Sequence, residues 1–200
     1  MDVRTILSGF LIGSDYLCDM DTGVPAIGFA AFRNTISSPA LRAIADHWHE
    51  ARGDRPMPSW SQIRPSSIAP YLTWIWSFRY DRDSDEFTAR LAGNHITISF
   101  GKNFRGTKLE DIHQPPALGR VEVGLRRLLL TPSLYRSTGK LFRQGDYTGE
   151  GERIALPLAE NGLHGDGVLG ASDYGPIPAS VAGEPVEVLQ DIEEWFALDR

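Results

Sequence analysis

Residues 71–93 read YLTWIWSFRYDRDSDEFTARLAG. Leu72, Trp74, Trp76, Phe78 and Tyr80 alternate with Tyr71, Thr73, Ile75, Ser77 and Arg79. Successive side chains of a strand point to opposite faces, so this period of two predicts a half-buried strand. The polar run from Asp81 to Asp85 then turns the chain. Phe87, Ala89 and Leu91 resume the alternation, with Thr88 and Arg90 on the other side, until Gly93 and Asn94 stop it. The stretch is a β-hairpin with one aromatic face.

Upstream lies SPALRAIADHWHEARG, residues 38–53. Ser38 suits an N-cap, Pro39 the first helical position and Gly53 the end. Leu41, Ile44, Ala45 and Trp48 form one apolar stripe at helical spacing. His47 and His49, two apart, fall on different sides of that helix, which predicts two solvated histidines and no shared metal. The Pro- and Ser-rich segment between helix and hairpin holds at most one helical turn, from Pro65 to Pro70. Residues 1–37 show no clear period and form an N-terminal extension.

Downstream, residues 94–112 are expected to form short irregular helices punctuated by Gly101 and Gly106. Pro115-Pro116 opens a second firm helix, with Leu118, Val121, Leu125, Leu128 and Leu129 as its stripe. Three strands follow, at Ser133–Arg143, Glu152–Ala159 and Gly167–Tyr174. Gly145-Asp146, Gly149-Glu150-Gly151 and Asn161-Gly162 are the turns between them. Pro157 inside the middle strand suggests a bulge or an unpaired donor. Residues 179–200 are a linker and then an amphipathic helix carrying Leu189, Ile192, Trp195 and Phe196, packed on the domain or used to dimerise.

Two strands, a helical crossover and three more strands make an α+β domain over residues 38–178: one five-stranded antiparallel sheet with helices on one face. Trp48, Arg52-Gly53, Met57-Pro58-Ser59, Ile63-Arg64-Pro65, Ile68 and Leu72 supply a first set of motif residues. Phe87, Arg90-Leu91-Ala92-Gly93, Ile96, Gly101, Phe104-Arg105-Gly106 and Leu109 supply a second. In order and spacing these resemble a bacterial PAS-like family of short, mostly stand-alone regulatory proteins. The likeness is close over 40–112 and one of pattern over 113–175. Trp60 and Arg64 depart from it, standing where smaller or acidic residues are expected.

The resemblance implies a sensor or protein-interaction module that binds a small ligand between sheet and helices. It would signal by non-covalent contact, to a second copy or to a separate signalling protein. The residues expected to face such a ligand are Trp76, Phe78, Arg90, Asn94, Ile98 and Phe104. Arg90 is notable because its planar fork suits a carboxylate or phosphate. The sequence names no cofactor. The flavin-photosensor type needs a cysteine in the central helical region, and the only cysteine is Cys18.

Composition narrows the alternatives. At 42% hydrophobic and 23% charged, the 200 residues can bury a core. A net charge of −6 is a poor match to nucleic acid, and Arg126-Arg127 is too small a cluster to reverse it. No apolar run reaches the roughly 18–20 residues of a membrane helix, so a cytoplasmic protein is expected. A nucleophile elbow, phosphate loop, dinucleotide fingerprint and zinc motif are absent. Residues 162–167 (GLHGDG) read as a turn, and His164 with Asp166 lacks a nucleophile. Glu110-Asp111 with His113 reads as a helix start rather than a metal site. Neither a catalytic nor a metal site is expected. The competing class is a small cone-shaped α+β enzyme, which would need a buried Asp, His or Glu facing an apolar cavity, as His95 or Asp111 would if turned inward beside Tyr80. A structural dimerisation module is a third class.

Overall fold

The computed structural model describes residues 28–181 and 184–198. Cys18 and most of the N-terminal extension lie outside them. Among the described residues there are five α-helices: α1 (Phe29–Thr35), α2 (Pro39–Arg52), α3 (Asn94–Phe100), α4 (Leu109–Ile112) and α5 (Ala117–Leu130). The strands are β1 (Ile75–Asp81), β2 (Glu86–Ala92), β3 (Ser133–Gln144), β4 (Tyr147–Leu158), β5 (Gly167–Tyr174), β6 (Val186–Val188) and β7 (Ile192–Ala197). They form one antiparallel sheet in the order β2-β1-β5-β4-β3, with β6 and β7 both pairing the outer edge of β3.

The five expected strands and their helical crossover are present, and the tail extends the sheet. The expected C-terminal helix is corrected: residues 186–197 are two strands. Ile192, Glu194 and Phe196 share one face of β7, and Glu193 and Trp195 the other, a period of two that the open edge of β3 selects. Leu189, Ile192 and Phe196 also fit a helical spacing, so these eight residues alone do not decide between the two periods.

The hairpin begins later than its alternation suggested. Residues 65–74 form 3-10 turns, kinked at Ile68 and containing Pro70, and β1 starts at Ile75. Gly93 ends β2 where the chain presses on those turns. A Cβ there would stand 2.2 Å from the Leu72 carbonyl oxygen. At the tip, the Asp85 carboxylate accepts from the Tyr80 hydroxyl at 2.6 Å and from two nitrogens of Arg126, which ties the turn to α5.

The sheet carries helices on both faces, not one. Ile75, Leu134, Ile154, Leu156, Leu169 and Phe196 project to the face covered by α1 and α2. There Ser38 caps α2 by accepting from the Leu41 N–H at 3.2 Å, and Leu41, Ile44, Ala45 and Trp48 are fully buried as the stripe requires. Trp48 donates its indole N–H to the Pro157 carbonyl at 2.8 Å. Pairing runs through Pro157 without a register shift, so no bulge lies there; the breaks fall at Ser77/Phe78 and Lys140/Phe142. The two histidines of α2 are not solvated: His47 is buried, accepting from the Arg64 backbone N–H at 3.0 Å, and His49 stacks on Phe29 at 3.9 Å.

Gly149 and Gly151 lie inside β4 rather than in a turn. A Cβ on Gly149 would stand 2.2 Å from the Phe142 ring, so close packing explains this glycine. Phe142, Tyr135, Tyr174, Trp76 and Phe78 project to the other face, towards α3, α4 and α5.

Candidate functional site

Between that second face and α3–α5 the packing is incomplete. A cavity remains in which the centre of a water molecule can range over about 110 Å³, several times what one water needs. Its walls are largely aromatic and aliphatic. Trp76 and Phe78 come from β1, Ala89 and Leu91 from β2, and Phe104 and Ile112 from the crossover. Leu125 and Leu128 come from α5. Val186, Val188, Gln190 and Trp195 close one side, so the tail forms part of the wall.

Of the six residues expected to face a ligand, three line the cavity: Trp76, Phe78 and Phe104. Arg90, Asn94 and Ile98 do not. With Ala89 and Leu91 turned to the cavity, strand alternation sends Arg90 to the other side, where its guanidinium lies 4.4 Å from the centre of the Trp60 ring. Trp60, one of the two departures from the family pattern, is thus the residue that occupies this arginine. Asn94 opens α3 at its exposed end. Ile98 is 59% exposed because the segment is helical: Ile96, Ser99 and Phe100 share the inward face, and a residue two past Ile96 points away.

Polar groups that the sequence reading passed over stand among the apolar walls. Arg153 on β4 shares the cavity face with Ala155. Its Nε donates to Ser172 Oγ at 3.1 Å, and one terminal nitrogen reaches the Leu141 carbonyl at 3.4 Å. Ser172 Oγ also accepts from the Trp76 indole N–H at 3.0 Å. Burial lowers the Arg153 pKa from its ordinary value, with Tyr135, Tyr174 and Glu193 acting in the opposite sense. No carboxylate of the described residues lies within 4.0 Å of this cation.

Tyr135 and His113 also line the cavity, both 6% exposed, and the Tyr135 hydroxyl and His113 Nδ1 make no well-formed hydrogen bond. Burial, with Glu193 second, pushes the Tyr135 phenol up to about 12. Burial, then the charges of Arg153 and Lys102, pushes His113 down to about 4, so its imidazole is neutral at pH 7. Ser99 Oγ spends its proton on the His95 carbonyl at 2.8 Å, so the Tyr174 hydroxyl is the donor in their 2.6 Å bond. Gln144 donates to the carbonyls of Ser99 and Glu184, fastening α3 and the tail to β3.

His113 thus belongs to the cavity, whereas Glu110 and Asp111 are exposed, and no group among the described residues could hold a metal ion. Among the described residues no Asp or Glu lines the cavity, and neither does His95, which lies against the Tyr174 ring with its centre 4.4 Å away. His164 and Asp166 serve a turn: Asn161 accepts from the backbone of Leu163 and His164, and Asp166 from that of Glu160.

A PAS domain profile matches residues 36–171, more than half of the chain. The chain belongs to the PAS domain family. No curated protein and no solved structure matches it significantly. PAS domains are typically non-enzymatic sensor and interaction modules, and they commonly dimerise. The cavity lies between the PAS sheet and its crossover helices. Among the described residues no helix is long and apolar enough to cross a membrane.

Proposed function

We infer that this PAS domain is a cytoplasmic regulatory sensor whose cavity takes a small, mainly apolar molecule between the sheet and α3–α5. Occupancy is passed by non-covalent contact to a second copy or to a separate signalling protein. The observation that carries this is the shared wall: a molecule in the cavity touches the core of the sheet and, through Val186, Val188, Gln190 and Trp195, the C-terminal strands. Trp195 is held between the Tyr135 ring at 4.7 Å and the Arg127 guanidinium at 4.2 Å, and Arg127 is on α5. Filling the cavity therefore bears on a joint between sheet, crossover helix and tail.

Native mass spectrometry of freshly purified protein tests the first half of this reading. The expected result is an added mass that denaturation releases as a small molecule. Amide hydrogen exchange tests the second half: the bound form should protect residues 186–197 relative to the stripped form. A clean unliganded mass, with no change in exchange when small apolar compounds are supplied, would leave an interaction module without a ligand.

A further inference from the structure

We propose that the ligand of this cavity is an apolar carboxylic acid whose carboxylate is received by Arg153, a reading that rests on the cavity being a ligand site. Burying a charge is costly unless it is paired and hydrogen-bonded, and an arginine cannot escape the cost by releasing its proton. Elsewhere among the described residues the chain meets this requirement. Arg136, the other strongly buried arginine, is paired with Glu152 at 2.6 Å and with Glu194. Arg153 has no such partner, although it lies deep in the molecule and presents its surface to the cavity. The carboxylate whose charge reaches it, Glu193, is exposed to water and stands outside ion-pair distance. Water in the cavity could satisfy the free N–H donors but would supply no opposite charge.

The neighbours of Arg153 favour a group that only accepts hydrogen bonds. Ser172 Oγ already accepts from both Trp76 and Arg153, which leaves its hydroxyl proton for a third partner. The Tyr135 hydroxyl is a second donor with no well-formed hydrogen bond, although the Glu193 carboxylate and the Ser137 hydroxyl are near enough to act on it. These O–H and N–H donors line the same cavity as the Arg153 guanidinium, whose fork binds a carboxylate through two parallel hydrogen bonds. A single cation suits a single negative charge. A phosphate monoester would bring nearly two into a cavity that offers one. The remaining walls, Trp76, Phe78, Phe104 and Leu125 among them, call for an aliphatic or aromatic body.

The test is calorimetric titration of the full chain with octanoate and 4-phenylbutyrate, each against its primary amide, and with octyl phosphate. The acids should bind at least ten-fold more tightly than their amides. Arg153→Met should abolish that preference while retaining amide binding, and Tyr135→Phe should reduce acid affinity several-fold. If Arg153→Met does not fold, as judged by circular dichroism, the wild-type comparison and the Tyr135→Phe variant decide the matter. Equal binding of acid and amide would overturn the carboxylate while leaving the cavity a ligand site, as would tighter binding of octyl phosphate than of octanoate. Failure of acids and amides alike to bind would overturn the ligand site and this inference together.

Discussion

Glu152 and Arg153 are neighbours on one strand, and the two faces of the sheet treat them in opposite ways. Glu152 points to the α1–α2 side, where its carboxylate accepts from the backbone N–H groups of Ser37 and Ser38 and from Arg136. Arg153 points to the α3–α5 side and meets a serine, a carbonyl and open space. On the first face large side chains are fully buried and the buried ions Glu152 and Arg136 are matched. On the second there is a void, with a tyrosine hydroxyl, an imidazole nitrogen and a cation left without full partners. One sheet can thus serve as a solid foundation on one side and a receptive surface on the other, because strand alternation lets each face be composed independently. The first face also holds unpartnered atoms, Ser77 Oγ, Arg52 Nε and Trp60 Nε1, but they do not line the cavity, whereas those of the second face do, and a ligand needs something left to satisfy where it binds.

The contrast can be broken most severely from the solid side. Trp48→Ala should cost about 3–5 kcal/mol in urea unfolding, because it opens a hole in close-packed core and strands the Pro157 carbonyl. Phe100→Ala, which removes a half-buried ring already facing the void, should cost much less. Glu152→Ala should also cost about 3–5 kcal/mol: it removes the acceptor of two backbone donors and one partner of a buried arginine.

Acid should act mainly on the receptive face. The unfolded chain takes up the His113 proton below about pH 6.5, whereas the folded protein does so only near 4. This stability is therefore whole above pH 6.5 and is lost as pH falls from 6.5 towards 4, by on the order of 3 kcal/mol. His113→Gln should flatten that limb of a stability–pH curve. A residual slope of the same sign should remain from His47 and His95, whose pKa values burial also lowers. The smallest effect is expected at Arg153. Arg153→Met should leave the stability of the ligand-free protein within about 1 kcal/mol of the wild type, or raise it, since no ion pair is broken and a buried charge is removed. A loss as large as that of Glu152→Ala would show that Arg153 is structural, and the contrast between the faces would fail.

The sequence made the frame legible where one period dominated. The Trp76–Tyr80 alternation, the Ser38–Gly53 helix with its caps and the apolar stripe of α5 each had a single physical reading. The tail did not, because its few apolar residues fit both periods and only the open edge of β3 decided between them. The candidate site was half legible for a similar reason. Trp76 and Phe78 follow from strand alternation and Phe104 from the motif, whereas the short helix expected at Ile98 leaves open which of its faces turns inward. Arg90 is prominent because its planar fork suits an anion, but strand alternation turns it to Trp60. Arg153 is not prominent, because it sits at the start of an apolar run and nothing local shows that its face would stay hollow. A strand arginine in phase with Ala155, opposite the phase of Ile154 and Leu156, was the available signal.

Trp195 and Phe196 are adjacent in β7, yet Trp195 borders the cavity and Phe196 meets Phe32 of α1 on the opposite side of the sheet. One residue further on, the Ala197 carbonyl accepts from the Gly28 N–H at 3.1 Å, so the first and last described elements are bound to each other. The ends of the domain meet like the two halves of a buckle. A circular permutant joining Leu198 to Gly28 through a short linker, and opened at the Asp81–Asp85 turn, would keep this clasp within one continuous chain and move both new ends to the tip of the hairpin.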